Sequence, residues 1–264
     1  MAFVELESSP LAPGLSPVSI HYRRAGRGAP LLFLHGGWGY AIYPIDLAAS
    51  ALGDHEVLVP DRSGYGRSPR LTRFARPLHA AAAAETLSFL DALGIQRCAL
   101  WGHSDGAVIA ANVALISPGR VTGVVLESLH HDRRKPRSRD FFLHFDPASL
   151  DDRVAAVLAE DHGEDYWRDV LAMEGRAWAE ILAEAESADG DLYGGRLSEL
   201  SVPTLVIHGA EDPRTEPGEL EEVRRLLPRA AFHVLEGARH APHAEARTAE
   251  PCVRLVREFL AGLR

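Results

Sequence analysis

Short apolar runs rich in Val, Ile and Leu alternate along this chain with longer segments of helical period, and that alternation narrows the fold more than any other feature. A strand buried on both faces of a parallel sheet reads as a continuous hydrophobic run, and parallel neighbours need a crossover helix between them. The pattern therefore predicts an α/β fold with a mostly parallel sheet and helices on both faces. Strands are expected at Val18 to Arg23, Leu31 to Leu34, Glu56 to Pro60, Arg97 to Trp101, Val121 to Leu126, Thr204 to His208 and Ala231 to Leu235. Between them, Ile45 to Leu52, Leu78 to Leu93, Ala107 to Ile116, Glu219 to Leu227 and Glu245 to Leu263 carry the i, i+3, i+4 spacing of surface helices. The beat stops between Leu129 and Arg196, which hold helix-like pieces at Arg153 to Glu160 and Tyr166 to Glu186 but no strand run. A helical cap over 129–196, inserted in a core of 1–128 and 197–264, is the expected organisation.

Composition excludes several classes of function. With 46% hydrophobic and 25% charged residues, 264 residues suit one soluble globular domain and not a disordered chain. A net charge of −9 argues against holding a phosphate backbone, which needs clustered positive charge, so no nucleic-acid partner is expected. The cap segment holds sixteen Asp and Glu against nine Lys and Arg, hence seven of those nine negative charges. Five of its basic residues crowd into Arg133, Arg134, Lys135, Arg137 and Arg139, either a solvated face or an anion grip at a pocket mouth. The two cysteines, Cys98 and Cys252, read as small core residues, because neither a disulfide framework nor a zinc-ligand spacing is visible. The N-terminus lacks a basic start followed by an apolar stretch, and no run approaches the roughly eighteen apolar residues needed to cross a bilayer, so a cytoplasmic protein without a membrane partner is expected. A homodimer is compatible with the sequence.

The chemistry concentrates at Gly102-His103-Ser104-Asp105-Gly106, which follows the apolar strand Cys98-Ala99-Leu100-Trp101 and precedes an alanine- and valine-rich helix. Serine is a weak nucleophile and must be presented on a tight turn beside a base; G-x-S-x-G between strand and helix is that turn. An oxyanion hole needs backbone N–H groups aimed where negative charge develops. His35-Gly36-Gly37-Trp38-Gly39, after the strand Leu31 to Leu34, offers Gly37 or Trp38 as one donor, and Asp105 N–H at the start of the helix offers the other. The loop lacks the G-x-G-x-x-G and Gly-Lys-Ser/Thr signatures of nucleotide binding.

The acid and base should follow the serine in the order Asp or Glu, then His. Asp212 lies in Gly209-Ala210-Glu211-Asp212-Pro213 at a strand's C-terminal end, where parallel sheets collect catalytic groups. Glu127, ending the neighbouring strand, is its rival. His240 stands in the loop between the last strand and the last helix and is the candidate base, with His243 three residues on at the expected helix start. His35, His103, His130 and His131 suit the pocket wall or structural hydrogen bonds; substrate contacts are expected from Asp105, Trp38, His103 and His130. No metal-ligand spacing such as H-E-x-x-H occurs, and neither metal nor cofactor is expected.

Five features in order, HGGWG, DRSGYGRS at Asp61 to Ser68, GHSDG, HGAEDP and ARHAPH, resemble the α/β-hydrolase superfamily over nearly the whole chain except the cap. The resemblance implies an eight-stranded, mostly parallel sheet with a helical cap and a triad of Ser104, Asp212 and His240. The Ser-Asp-Gly at the elbow is similar to the valacyclovir-hydrolase-like branch, which implies that Asp105 helps to seat a substrate amino group. An acid at a helix N-terminus, favoured there by the dipole, is the plainer account of the same residue. The expected activity is cleavage of a small-molecule carboxylic ester or related acyl bond through an acyl-enzyme, with amino-bearing esters as a candidate class. The same scaffold could serve an acyltransferase, a carbon–carbon bond hydrolase or a slow ligand-binding protein. Haloalkane dehalogenase and epoxide hydrolase chemistry is disfavoured, since those look-alikes place a carboxylate where this chain has Ser104.

Overall fold

The computed structural model describes residues 2–45, 52, 54–184 and 190–263. Eight strands, β1 (Ala2–Leu6), β2 (Val18–Gly26), β3 (Ala29–Leu34), β4 (His55–Pro60), β5 (Cys98–His103), β6 (Val121–Glu127), β7 (Thr204–Gly209) and β8 (Ala231–Leu235), form one sheet in the order β1-β2-β4-β3-β5-β6-β7-β8. From β4 to β8 every pairing is parallel, while β2 pairs antiparallel with both β1 and β4. Side chains alternate across the sheet, so each central strand feeds two cores. Leu32, Leu34, Leu100, Val124 and Leu126 join the layer under α1 (Leu78–Ala92) and α2 (Asp105–Ile116). Their neighbours Leu31, Phe33, Ala99, Trp101 and Val125 join the opposite layer with α7 (Ala249–Ala261). That two-sided burial is why the strands read as unbroken apolar runs.

Strand order reverses between β3 and β5, because the chain passes outward to β4 before crossing back. A crevice opens at the carboxyl ends of strands at such a switch point. Both the glycine loop after β3 and the turn after β5 stand there. Between β6 and β7 run α3 (Arg139–His144), α4 (Asp152–His162) and α5 (Trp167–Glu184), with α6 (Glu219–Leu226) after β7. Arg23 on β2 bonds both Asp61, beyond β4, and Asp161 on α4. Tyr166 hydroxyl bonds Gly64 and Leu71, so this helical layer is tied to the core at several points.

The structure departs from the sequence expectations at particular elements. The edge strand β1 is short and half-exposed, with only Leu6 fully buried, so it carries little apolar signal. The last helix begins at Ala249, not Glu245, because the Glu245 carboxylate accepts the Arg239 and Ala241 N–H groups of the preceding turn. His243 therefore lies in a turn ahead of the helix. The helix expected at Ile45 to Leu52 falls largely outside the described residues, as does the end of the one expected to reach Glu186. Within the basic cluster, Lys135 is buried against Glu219 and Arg134 pairs with Asp132. Arg137 N–H bonds Glu216. Cys98 and Cys252 are buried free thiols. Among the described residues no helix is long and apolar enough to cross a membrane.

Candidate active site

Ser104 sits between β5 and α2 with φ 56° and ψ −123°, a left-handed conformation that L residues rarely adopt. Two glycines permit it. A Cβ on Gly102 would strike the backbone of Gly106 and Ala107, and one on Gly106 would strike the Leu34 and His35 carbonyls. The turn therefore presses against both its own helix and β3, and Ser104 N–H bonds the Glu127 carbonyl.

Three distant segments converge on the Ser104 hydroxyl. His240 Nε2 lies 3.0 Å from Ser104 Oγ, and His240 Nδ1–H donates to Asp212 Oδ2 at 2.8 Å. Burial lowers the His240 pKa, outweighing the Asp212 hydrogen bond and charge that raise it, so the ring is neutral at neutral pH and able to accept a proton. Burial opposes the Asp212 charge too, but the His240 hydrogen bond and charge hold that carboxyl well below its usual range. Arg214 N–H also donates to Asp212, at 2.9 Å.

Glu127, the rival acid, is engaged elsewhere. It accepts from Trp101 Nε1–H at 2.8 Å and from both the backbone N–H and Nδ1–H of His243, at 2.9 and 2.8 Å. His243 Nε2–H donates to Tyr43 O at 2.9 Å, so both ring nitrogens donate and the ring is a cation. Its pKa is raised, since the Glu127 charge and hydrogen bond overcome burial. His243 can neither accept from Ser104 nor spare Glu127 for another histidine.

The glycine loop lies against the turn. A Cβ on Gly36 would stand 3.3 Å from Ser104 Cβ, and one on Gly37 would stand 2.7 Å from Asp105 Oδ2. Arg62, buried beneath, donates to the His35 and Gly36 carbonyls and so turns that stretch of backbone. His35 Nδ1–H also donates to Gly36 O, at 2.8 Å.

Ser104 opens into a cleft walled by Trp38, Phe141, Phe142, Phe145, Leu171 and Trp178. His103 and His130 line it too, together with Asp105, Arg214, Glu174 and the Gly36 to Gly39 loop. His130 Nε2 lies 3.3 Å from Ser104 Oγ, and burial holds its pKa well below the ordinary histidine value. His103 Nε2–H donates to the His240 carbonyl at 2.8 Å, seating that residue from behind. His131 is half-buried beside Tyr193. None of the basic residues from Arg133 to Arg139 reaches the cleft lining. The pocket cation is Arg214, stacked 4.0 Å over Phe141.

Asp105 is not a free carboxylate. Its Oδ1 accepts from His79 Nε2–H at 2.7 Å, and Trp178 Nε1 approaches Oδ2 at 3.5 Å. Burial favours the neutral acid, yet the His79 bond and the His79 and Arg62 charges outweigh it and lower the pKa. The carboxyl without a partner is Glu174 on α5, which the sequence reading passed over; both its oxygens are buried and lack a hydrogen-bond partner among the described residues. Burial pushes its pKa up to about 8, against the attraction of Arg62. A signal existed: Val170, Leu171, Glu174, Ala177 and Trp178 form one buried stripe at helical spacing, with an acid in its middle.

Residues 31–254 match the sequence model of the family described as "Alpha/beta hydrolase family". The chain is 30% identical over 235 residues to a putative carbamate hydrolase RutD of Pseudomonas savastanoi pv. phaseolicola, covering 81% of this chain and 87% of that one. It is 25% identical over 248 residues to the serine hydrolase BPHL of Mus musculus, covering 92% and 83%. The fold is similar to that of esterase RhEst1 from Rhodococcus sp. ECU1013, with a TM-score of 0.71 at 21% identity over the whole of both chains.

Proposed function

From the premise that this chain belongs to the alpha/beta hydrolase family, and is a hydrolase of that type, we propose that it cleaves small carboxylic esters or related acyl bonds by a Ser104 nucleophile. The observation that carries the reading is the hydrogen-bonded relay from Asp212 through His240 to Ser104, at 2.8 and 3.0 Å, on a strained turn. In this mechanism His240 Nε2 takes the Ser104 proton as Oγ attacks the carbonyl carbon, and the imidazolium is stabilised by Asp212. The tetrahedral oxyanion is held by Asp105 N–H and by Gly37 or Trp38 N–H. Collapse expels the alcohol, which takes the proton from His240, and leaves an acyl-Ser104. Water then repeats the sequence, losing a proton to His240 and releasing the acid.

The aromatic walls of the cleft fit a small organic ester, and the carboxyls of Asp105 and Glu174 among its lining support a preference for substrates carrying an amino group. Turnover of p-nitrophenyl esters by the parent protein and by Ser104→Ala tests the reading. The variant should lose roughly 10³-fold or more in kcat, by the scale of other triads. Equal rates would overturn the serine mechanism.

A further inference from the structure

We propose that Glu174, and not Asp105, is the group that receives a primary ammonium on the substrate, carried close to the scissile carbonyl. The inference rests on the serine-esterase reading for the position of that carbonyl.

A buried carboxyl normally has its oxygens satisfied, and one that does not is costly unless it stays protonated or meets a cation. Glu174 is 4% exposed, lines the cleft and has neither oxygen bonded among the described residues. Asp105 beside it is already matched to His79. The two carboxyls meet at one point: the Cβ position of Gly37 lies 2.7 Å from Asp105 Oδ2 and 3.2 Å from Glu174 Oε2. That point is one residue along the loop from Gly36, whose own Cβ position touches Ser104. Both carboxyls therefore border Gly37, and an ammonium held between them on the cleft side of that backbone would sit within a few bonds of a carbonyl on Ser104, as in an α- or β-amino acyl ester.

Two buried carboxyls at this end of the cleft favour a cation over an anion there. Arg62 is the cation nearest to Glu174 in influence, but its guanidinium is spent on the His35 and Gly36 carbonyls. Arg214, the other cleft cation, is stacked on Phe141. Trp178, one helical turn beyond Glu174, and Phe142, stacked on it at 4.3 Å, give aromatic faces suited to a desolvated cation. An ammonium brings three donors. Glu174 can take one or two, and Asp105 Oδ2, whose Trp178 contact is long at 3.5 Å, can take another. A neutral isostere leaves Glu174 as it was, buried with its oxygens unmet. Charge-assisted hydrogen bonds of this kind correspond to roughly tenfold or more in affinity.

The test compares kcat/KM for the p-nitrophenyl esters of alanine and of propionate, in the parent and in Glu174→Gln, which keeps the side-chain shape. The parent should favour the alanyl ester by about tenfold or more, and the ratio should fall about tenfold in the variant, mostly through KM, as expected for lost ground-state binding. A ratio at or below one in the parent, or the same ratio in a folded variant, overturns the proposal. A second arm needs no turnover: calorimetric titration of Ser104→Ala with alanine methyl ester and with methyl propionate. Tighter binding of the amino ester supports the proposal, and equal binding overturns it even if Glu174→Gln does not fold. Ser104-dependent turnover without amine preference sinks this inference alone. Turnover of neither ester, or turnover independent of Ser104, sinks the esterase reading, and the same titration repeated in Ser104→Ala with Glu174→Gln then decides between Glu174, whose loss should abolish the preference, and Asp105, which would leave it unchanged.

Discussion

Two imidazoles stand within reach of the Ser104 hydroxyl, His240 at 3.0 Å and His130 at 3.3 Å, and what separates them is the group behind the ring. His240 has a carboxylate fixing its tautomer and stabilising its charge, whereas His130 is surrounded by the charges of Lys135, His240 and Arg214, which together with burial oppose protonation. Asp212→Asn should therefore lower kcat by roughly 10³- to 10⁴-fold through the wrong tautomer. His130→Gln should cost less than about tenfold, and a comparable loss in both would return the base role to His130. Because the pKa of His240 is lowered, the acid limb of kcat/KM should lie below the ordinary histidine value of about 6.5, with the rate rising as pH climbs through it. Glu174 gives the opposite sign in stability. Its folded pKa is raised to about 8 from an unfolded value near 4.3, so its contribution is fully present below about pH 4.3 and is lost as pH rises towards 8. Glu174→Gln should flatten the fall of melting temperature over that window, and an unaltered profile would mean that Glu174 is ionised throughout.

At the scale of elements, the nucleophile turn was legible because its requirements are local: an apolar strand, two glycines that admit no Cβ, and a helix starting at once. Gly106→Ala should be among the most damaging single-methyl changes in the chain, since the new carbon must displace the Leu34 and His35 carbonyls. Overpacking of this kind costs about 1–3 kcal/mol or more, to be read as a drop in chemical-denaturation midpoint. The choice between Glu127 and Asp212 was not legible. Both end neighbouring parallel strands, and which histidine each meets depends on the loop after β8 folding so that His240 and His243 point apart. Glu174 was hidden for a related reason. The stripe on α5 announces a buried face, but nothing along the chain says that Glu174, on a helix whose Trp178 packs on Phe142 of α3, meets Gly37 of the glycine loop.

For the whole molecule, the alternating apolar runs foretold the parallel sheet and its two layers, because burial on both faces leaves its mark on every central strand. How the α3 to α5 layer is held over the cleft left a fainter mark, since beside its apolar packing several of its ties are polar and join residues far apart in sequence. Arg23 is the chief of these, bonding Asp61 and Asp161 at once. Next to Asp161, His162 accepts from Gly66 N–H at 2.8 Å and donates to the Trp38 carbonyl at 3.1 Å, so the end of α4 grips the loop that borders Ser104. Asp61 is 1% exposed, and although burial favours its neutral form, the His21 hydrogen bond and the Arg23 charge bring its pKa down to about 2. A carboxyl so depressed adds stability above its unfolded pKa, near 3.9, and that stability is lost as pH falls towards 2. Removing the guanidinium in Arg23→Ala should lower the melting temperature at neutral pH by roughly 5 °C, given ~1–2 kcal/mol for a partly buried charged network in a chain of this size. The gap between parent and variant should then narrow as the pH falls towards 2 and close below it, where Asp61 is protonated in both. KM should rise in the variant as Trp38 loosens with α4, while the relay behind Ser104 keeps its geometry. A melting difference independent of pH would show that Arg23 acts by stacking its guanidinium over the Tyr40 ring, 4.5 Å from the centroid, and not by pairing charge between the sheet and the helices above it.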